Sequence, residues 1–212
     1  MIRADLHSHS QASPDGSLSL SDYRQALSSG RLDCIAITDH NQIEFALAAQ
    51  AALGTAIIVG EEITTTKGEI IGLYLQRAIP AGLSIATAVE KIHEQGGLVY
   101  IPHPFETVRK GISLESLQAI AEAVDIVETY NGRSLQNHSK QAEQWAKNHQ
   151  KAGASSSDAH GPIGWGKTYT ILKTMPGRDN LVTLLAEGVP ATHSTGIIGR
   201  LYPKINRLKG KF

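Results

Sequence analysis

Residues 2–9 read Ile-Arg-Ala-Asp-Leu-His-Ser-His, a short strand-like run that ends in two histidines. Two later runs end in a similar way, since residues 34–40 read CIAITDH and residues 153–160 read GASSSDAH. Short β-branched runs of this kind alternate with longer stretches whose apolar residues recur at three- and four-residue spacing. Such alternation is typical of a parallel α/β sheet. It predicts a barrel or barrel-like closed sheet, and an open doubly wound sheet fits the same pattern.

The predicted elements follow from this periodicity. Ser84 and Ser113 stand where helix N-caps are expected, and Gly96 and Gly153 stand where helices should stop. Eight strands are predicted, over residues 2–6, 34–38, 56–60, 69–75, 97–101, 125–130, 153–156 and 168–173. Six helices are predicted, over residues 22–29, 42–53, 84–95, 114–123, 135–150 and 178–187.

The composition indicates one soluble domain of 212 residues, 41% of them hydrophobic. Twenty Lys and Arg balance twenty Asp and Glu, which argues against an overall attraction to nucleic acid or to a membrane surface. No targeting pattern and no apolar run of about 20 residues is present, so a cytoplasmic location is expected. Residues 195–212 carry five basic residues and no acid. We therefore expect a domain over residues 1–195 and a basic tail over 196–212, either solvated or in contact with nucleic acid.

Polar side chains follow six of the predicted strands at their C-terminal ends, where parallel α/β folds place their active sites. His7 and His9 are two residues apart, so on a strand they point to the same side and can bind one ion together. Asp158 and His160 have the same spacing. Because the chain has one cysteine, a thiolate zinc site is excluded, and imidazole with carboxylate suits zinc, manganese or iron.

Six motifs at these strand ends resemble those of the PHP (polymerase and histidinol phosphatase) family of metal-dependent phosphoesterases. They are DLHSHS at 5–10, AITDHN at 36–41, VGEEIT at 59–64, IPHPF at 101–105, VETYNG at 127–132 and SSDAHG at 156–161. The resemblance covers residues 5 to about 170. It implies a distorted, seven-stranded β/α barrel, similar to a TIM barrel, with a trinuclear metal centre at the C-terminal ends of the strands.

The resemblance also implies a ligand set. At the second metal, many relatives have a histidine where this chain reads KGEIIG over residues 67–72, so Glu69 is the candidate here. Glu61 is the alternative to Glu62, which the register of the motif favours. The implied ligands are His7, His9, Glu62 and Asp158 for the first metal, Glu62, Glu69 and His103 for the second, and Asp15, His40 and His160 for the third.

Several charged residues near the motifs are expected to support the site. Asp5 and Asp39 are expected to orient ligand imidazoles rather than to bind metal. Arg109 and Arg133 follow the ends of two predicted strands, and their planar guanidinium groups suit a phosphate, so we expect both to bind substrate.

The segment Gly161–Thr168 matches the letters of a nucleotide-binding P-loop. A true P-loop runs from a strand into a helix, whereas this segment leads into a predicted strand and contains Pro162. We therefore expect no P-loop, although Lys167 can still approach a phosphate from the rim. The remaining histidines are expected to have no role in the chemistry, and they are His93, His138, His149 and His193.

The expected function is that of a metal-dependent phosphoesterase with two or three divalent ions, zinc, manganese or iron, and a metal-activated hydroxide. The expected substrates are small phosphomonoesters, nucleotides or short oligonucleotide ends. The alternatives are a non-catalytic metal-binding PHP module, a nucleotide-binding protein that uses the P-loop-like segment, and a metal-dependent amidohydrolase.

Overall fold

The structure, a computed structural model, describes residues 1–107, 109–134 and 136–209. It contains nine strands in the described part of the chain: β1 (Ile2–Asp5), β2 (Cys34–Ile37), β3 (Ile57–Thr65), β4 (Gly68–Leu73), β5 (Leu98–Ile101), β6 (Ile126–Asn131), β7 (Ala152–Ser156), β8 (Thr168–Leu172) and β9 (Val189–Thr192). The α-helices are α1 (Leu20–Ser28), α2 (Glu44–Leu53), α3 (Ile85–Glu94), α4 (Leu114–Ala119), α5 (Gln136–Asn148), α6 (Leu181–Ala186) and α7 (Gly196–Lys209). None of these helices has the length and apolar character needed to cross a bilayer.

All nine strands belong to one sheet, in the order β7-β6-β5-β4-β3-β2-β1-β8-β9. Pairing is parallel from β1 to β3 and from β5 to β7, and antiparallel around β4 and between β1, β8 and β9. The segments that follow β1 and β7 also meet, through a parallel bridge between Ser8 and Ala159. The sheet is therefore a nearly closed, barrel-like sheet, as the sequence predicts.

The sequence-based expectation differs from this sheet in three respects. The implied count of seven strands is wrong, because β8 and β9 add an antiparallel hairpin beside β1. β4 is antiparallel because only Thr66 and Lys67 separate it from β3, and so short a connection cannot make the crossover that a parallel pair needs. β9 was not predicted, since it includes Pro190 and is mostly exposed, and so it lacks the apolar run that marks the other four-residue strands.

Alternate residues of the strands face two hydrophobic layers. In β2, Cys34 and Ala36 belong to the cluster inside the barrel-like sheet. Ile35 and Ile37 belong to the second cluster, which lies between the sheet and helices α1 to α5. Burial raises the pKa of the Cys34 thiol to about 12, so this cysteine is an unreactive core residue, as expected. α3 shows how the sequence places a helix: Ser84 caps it by accepting from the Thr87 N–H.

Residues 196–209, expected to be part of a basic tail, form α7. One face of this helix packs on the barrel, since a Cβ atom on Gly161 would meet the Tyr202 ring at 2.4 Å. Asn206 Nδ2 donates hydrogen bonds to the backbone oxygens of Asp15, at 2.8 Å, and His160, at 3.0 Å. The structure thus has a helix packed on the barrel where a basic tail, either solvated or in contact with nucleic acid, was expected. Residues 210–212 of that tail and Leu135 of a predicted helix lie outside the described residues.

Asp5 joins the end of β1 to the segment that follows β7. Its Oδ1 accepts from Ser157 N at 2.9 Å, and its Oδ2 accepts from Ser157 Oγ at 2.5 Å and from Trp165 Nε1 at 3.0 Å. Two backbone hydrogen bonds continue the contact. Asp158 N donates to His7 O at 2.9 Å, and His9 N donates to Ala159 O at 2.8 Å. Burial raises the pKa of Asp5 to about 6, although its hydrogen bonds oppose that rise.

Asp5→Ala should lower the free energy of unfolding by about 2–5 kcal/mol, because it leaves the buried N–H groups of Ser157 and Trp165 without an acceptor. Urea denaturation of the metal-free protein measures the change. Glu90→Ala, on the exposed side of α3, serves as the control and should change stability by less than about 0.5 kcal/mol. Equal stability of the two variants would contradict the role given to Asp5.

Candidate metal centre

All nine predicted ligands lie together at the end of the barrel formed by the C-termini of its parallel strands. Glu69 reaches the same end because β4 is antiparallel, so that its first residues face the last residues of β3. His40 is the most exposed of the nine, with 21% of its side chain accessible, and the other eight are buried. The clustering matches the expectation from the sequence, and metal binding by these residues stays a prediction.

The first group of ligand atoms lies between the ends of β1, β3 and β7. The Nε2 atoms of His7 and His9 are 3.1 Å apart. Glu62 Oε2 lies 3.6 Å from His7 Nε2 and 3.3 Å from His9 Nε2. Asp158 Oδ1 lies 3.6 Å and 3.5 Å from the same two nitrogens. Two imidazoles and two carboxylates thus direct nitrogen and oxygen atoms at one small volume, an arrangement that fits a divalent ion.

Glu62 links this group to a second one. Its Oε1 lies 3.0 Å from His103 Nε2, while its Oε2 faces His7 and His9. Glu69 has a carboxylate oxygen within 4.8 Å of ligand atoms of both Glu62 and His103. Burial, and then the negative charge of Glu62, raise the pKa of Glu69 to about 8. A carboxylate that offers one oxygen to each of two groups of ligand atoms has the geometry expected of a bridging ligand.

The third group contains Asp15, His40 and His160. Asp15 Oδ1 lies 3.5 Å from His40 Nε2 and 3.6 Å from His160 Nε2. This oxygen is buried and has no hydrogen-bond partner among the described residues. His9 adjoins the group, since its ring stacks on His40 with centroids 4.6 Å apart. A buried acceptor left without a donor, beside two imidazoles, fits a cation at this position.

The choice between Glu61 and Glu62 is resolved by the alternation of β3. Glu62 faces the histidines, whereas Glu61 points to the opposite side, where its Oε2 accepts from Ile79 N at 2.8 Å. Burial raises the pKa of Glu61 to about 7. Glu62 is therefore the residue of this pair that belongs to the centre.

Glu128 is a site residue to which the sequence analysis gave no role. Its Oε1 lies 3.1 Å from His7 Nδ1, and its Oε2 accepts from His103 N at 2.6 Å. The carboxylate thus fixes the His7 ring and the end of β5 together, as partners of metal-binding imidazoles commonly do. A signal was available, because Glu128 lies in the quoted VETYNG motif and is an acidic residue within a buried strand.

Asp39 acts on the centre through Ser13. Asp39 Oδ1 accepts from Ser13 Oγ at 2.9 Å, and that hydroxyl lies 3.3 Å from His9 Nδ1 and accepts from His40 N at 3.1 Å. This geometry agrees with the expected orienting role of Asp39. Asp5 differs from the expectation, because its carboxylate holds Ser157, Trp165 and the His7 backbone rather than an imidazole ring.

The two predicted substrate-binding arginines both contact Asp158 but differ in their free donors. Arg109 donates to Glu106, Asn131, Ser134 and Asp158, which uses all five N–H groups of its guanidinium. It therefore positions the Asp158 carboxylate, and phosphate binding by Arg109 would require some of these bonds to break.

Arg133 is less fully engaged. Its Nη1 donates to Asp158 Oδ1 at 3.0 Å and lies 3.1 Å from His160 Nδ1. Its Nε is buried and has no partner in the described part of the chain. Of the two arginines, Arg133 has the geometry that suits the predicted contact with substrate.

The charges of the centre are balanced by protons in the metal-free protein. Burial lowers the pKa of His7 and His9, but nearby carboxylates outweigh it, so that the pKa of His7 lies well above 6.5 and that of His9 is about 9. Burial and the neighbouring His9 and Arg133 hold the pKa of His160 well below 6.5. A proton held by this pair of imidazoles, whose Nε2 atoms lie 3.1 Å apart, occupies the place that a cation would take.

The sequence matches the PHP domain family over residues 5–186. The chain therefore belongs to the PHP domain family. It is 33% identical over 150 residues to the uncharacterised protein MJ1587 of Methanocaldococcus jannaschii, an alignment that covers 65% of this chain and 88% of that protein.

Two solved structures share the fold. A two-domain protein of Bacteroides vulgatus, which contains a predicted PHP-like metal-dependent phosphoesterase, matches with a TM-score of 0.66 at 20% identity, over 97% of this chain and 63% of that one. An amidohydrolase of Chromobacterium violaceum, solved with bound sulfate and no metal, matches with a TM-score of 0.63 at 17% identity, over 75% of this chain and 88% of that one.

The other features singled out in the sequence lie outside the ligand groups. The segment Gly161–Thr168 leads into β8 and so lacks the helix of a P-loop, as expected. Lys167 and His193 line an open pocket of about 660 Å³ together with Tyr130 and Tyr169. His93 and His138 lie on α3 and α5, and the His149 ring stacks on Trp145.

Glu62→Gln should abolish binding of at least one divalent ion. The Gln amide has one oxygen, whereas the first and second ligand groups each use one oxygen of the Glu62 carboxylate. Glu61→Gln is the matched control on the opposite face of β3, and it keeps an oxygen for the Ile79 N–H. Elemental analysis of the purified variants measures the metal content. Loss of metal from both variants, or from Glu61→Gln alone, would contradict the assignment of Glu62.

Metal binding at pH 7 should release protons, because His9, with a pKa of about 9, is protonated in the metal-free protein and must lose its proton to bind a cation. Affinity should therefore rise with pH up to about 9, roughly tenfold per pH unit for each proton released. Calorimetric titration in two buffers of different ionisation enthalpy counts the protons. Equal heats in both buffers at pH 7 would show that no net proton is released and would contradict a protonated His9 in the metal-free protein.

Proposed function

We propose that this protein is a metal-dependent phosphoesterase that hydrolyses small phosphate esters at the end of the barrel. The observation that carries the proposal is the sharing of Glu62, whose two oxygens face two adjoining groups of ligand atoms. Membership of the PHP domain family and the shared fold of a predicted metal-dependent phosphoesterase support it. A cytoplasmic location, expected from the sequence, is part of the same proposal.

Two or three divalent ions would be held by the nine ligands, and the imidazole and carboxylate donors suit zinc, manganese or iron. Such ions supply a Lewis acid for phosphoryl oxygens and lower the pKa of water from 15.7 to about 7. The protein keeps the ligands in place from outside the centre, since Glu128 holds His7 and Ser13 holds His9. These contacts fix the direction in which each imidazole offers its Nε2 atom.

The substrate phosphate would be held by Arg133. Its guanidinium lies beside Asp158 and His160, and 12% of its side chain is exposed. An arginine can donate two parallel hydrogen bonds to a phosphate and so neutralise charge that develops on its oxygens. Small monoesters, nucleotides and oligonucleotide 5′ ends all present such a phosphate, and they remain the proposed substrate classes.

An amidohydrolase is the second candidate, since an amidohydrolase shares the fold and the same activated water can attack a carbonyl carbon. The arginines favour a phosphate ester, because a neutral amide offers fewer negative oxygens to Arg133. A non-catalytic metal-binding module, also among the alternatives expected from the sequence, would bind the metals without turning over a substrate.

The metal-loaded protein should hydrolyse at least one of p-nitrophenyl phosphate, bis-p-nitrophenyl phosphate, a nucleoside monophosphate and a short RNA. His103→Ala should lower kcat/KM by about 100-fold or more, because it removes a ligand of the second group. Arg133→Ala should raise KM about tenfold while the metal content stays unchanged. His93→Ala, on the half-exposed side of α3, is the control and should retain full activity.

The same panel, with a p-nitroanilide added as an amide substrate, separates the candidates. Turnover of amides without turnover of any phosphate ester would favour the amidohydrolase, and full metal content without any turnover would favour the non-catalytic module. Either result would contradict the proposed function.

A further inference from the structure

Helix α7 reaches the third ligand group through two consecutive residues. Arg207 Nη2 donates to Asp15 Oδ2 at 2.6 Å. Asn206 Nδ2 donates to the backbone oxygens of Asp15, at 2.8 Å, and of His160, at 3.0 Å. The C-terminal helix therefore contacts two of the three members of this group, from positions more than 45 residues away in sequence.

Because of this contact, the two oxygens of the Asp15 carboxylate have different surroundings. Oδ2 is occupied by Arg207, whereas Oδ1 stays without a partner and lies 3.5 Å from His40 Nε2 and 3.6 Å from His160 Nε2. A carboxylate held by one oxygen cannot rotate freely about its terminal bond. The hydrogen bond from Arg207 thus keeps Oδ1 directed into the group.

Among the described residues, Arg207 is the only hydrogen-bond donor to the Asp15 carboxylate. A Cβ atom on Gly16 would meet Ser10 O at 2.0 Å, so the turn that carries Asp15 is packed closely against the segment after β1. The turn fixes the position of the backbone, and the orientation of the carboxylate depends on Arg207. The helix is itself anchored, because Tyr202 packs against Gly161.

We propose that Arg207 is a positioning residue for the third metal site: it holds Asp15 so that Oδ1 faces the cation bound with His40 and His160. The inference rests on the proposed metal-dependent function and adds an element from outside the quoted motifs. Repulsion between the guanidinium and the cation is small, since 64% of the Arg207 side chain is exposed and water screens its charge. Orientation of the ligand is the larger effect, as for other residues that hydrogen-bond to metal ligands.

The test is a titration of the full-length metal-free protein with Co²⁺, followed by the visible absorbance of the bound ion. Arg207→Ala should weaken one binding step by about 10–100-fold and leave the other steps unchanged. Arg207→Lys, which keeps a donor, should recover part of the loss. Lys204→Ala, an exposed basic residue on the same helix, is the matched control and should bind as the wild type does.

A second variant ties the effect to Asp15. Asp15→Asn should weaken the same step, and the double variant Arg207→Ala with Asp15→Asn should bind no more weakly than Asp15→Asn alone, because both changes remove one interaction. Circular dichroism and urea denaturation check that each variant remains folded.

The failures are distinguishable. A wild-type protein that binds no Co²⁺ overturns the proposed function. A wild-type protein that binds Co²⁺ while Arg207→Ala binds it equally well, or more tightly, overturns only the role of Arg207. Tighter binding would mean that the guanidinium competes with the cation for Asp15, and additive losses in the double variant would also overturn the proposal.

Discussion

The hydrogen bonds from Ser157 and Trp165 to the Asp5 carboxylate close the barrel, and the candidate centre depends on that closure. The segment after β1 supplies His7 and His9, and the segment after β7 supplies Asp158 and His160. Because these segments also pair through their backbones, four ligands from opposite ends of the sequence lie within a few ångströms. Burial of Asp5 opposes its ionisation, and the donors around it offset that cost. Fold and site are therefore stabilised by the same contacts.

The centre concentrates buried carboxylates, and buried charges need partners. In the metal-free protein, the His7 and His9 imidazoles act as those partners, since the negative groups around them raise their pKa values. Burial opposes the ionisation of Glu62, but His40 and then His7, together with the hydrogen bond to His103, hold the pKa of Glu62 well below its usual value. A cation that replaces these protons meets the Glu62 and Asp158 carboxylates already ionised and already in position. Metal binding then exchanges one set of positive charges for another, and the packing around the centre is kept.

The clustering of the candidate ligands could be predicted, partly from local spacing and partly from the resemblance of the motifs to those of the PHP family. His-x-His and Asp-x-His report the alternation of a strand, and Glu62 was separable from Glu61 by the register of its motif. Contacts between distant segments cannot be derived from local spacing, although the VETYNG motif and its buried strand marked Glu128 as a candidate. Glu128 reaches His7 across 121 residues, and Arg207 reaches Asp15 across 192 residues. The sequence also indicated arginines near the site, but only the structure shows that the guanidinium of Arg109 is fully engaged. Likewise, β9 contains Pro190 and is mostly exposed, so its residues do not show the apolar pattern of a strand.

Exposure shows from which side a substrate reaches the centre. Glu69 and His103, in the second group, are 6% and 4% exposed, whereas the His40 side chain in the third group is 21% exposed. Arg133 adjoins His160 of that same third group. The more exposed edge of the candidate centre therefore lies beside His40, and the proposed phosphate substrate would meet the third group and Arg133 before Glu69 and His103. Because α7 donates hydrogen bonds to Asp15 and to the His160 backbone at this edge, the C-terminal helix would contribute to the surface that such a substrate first contacts.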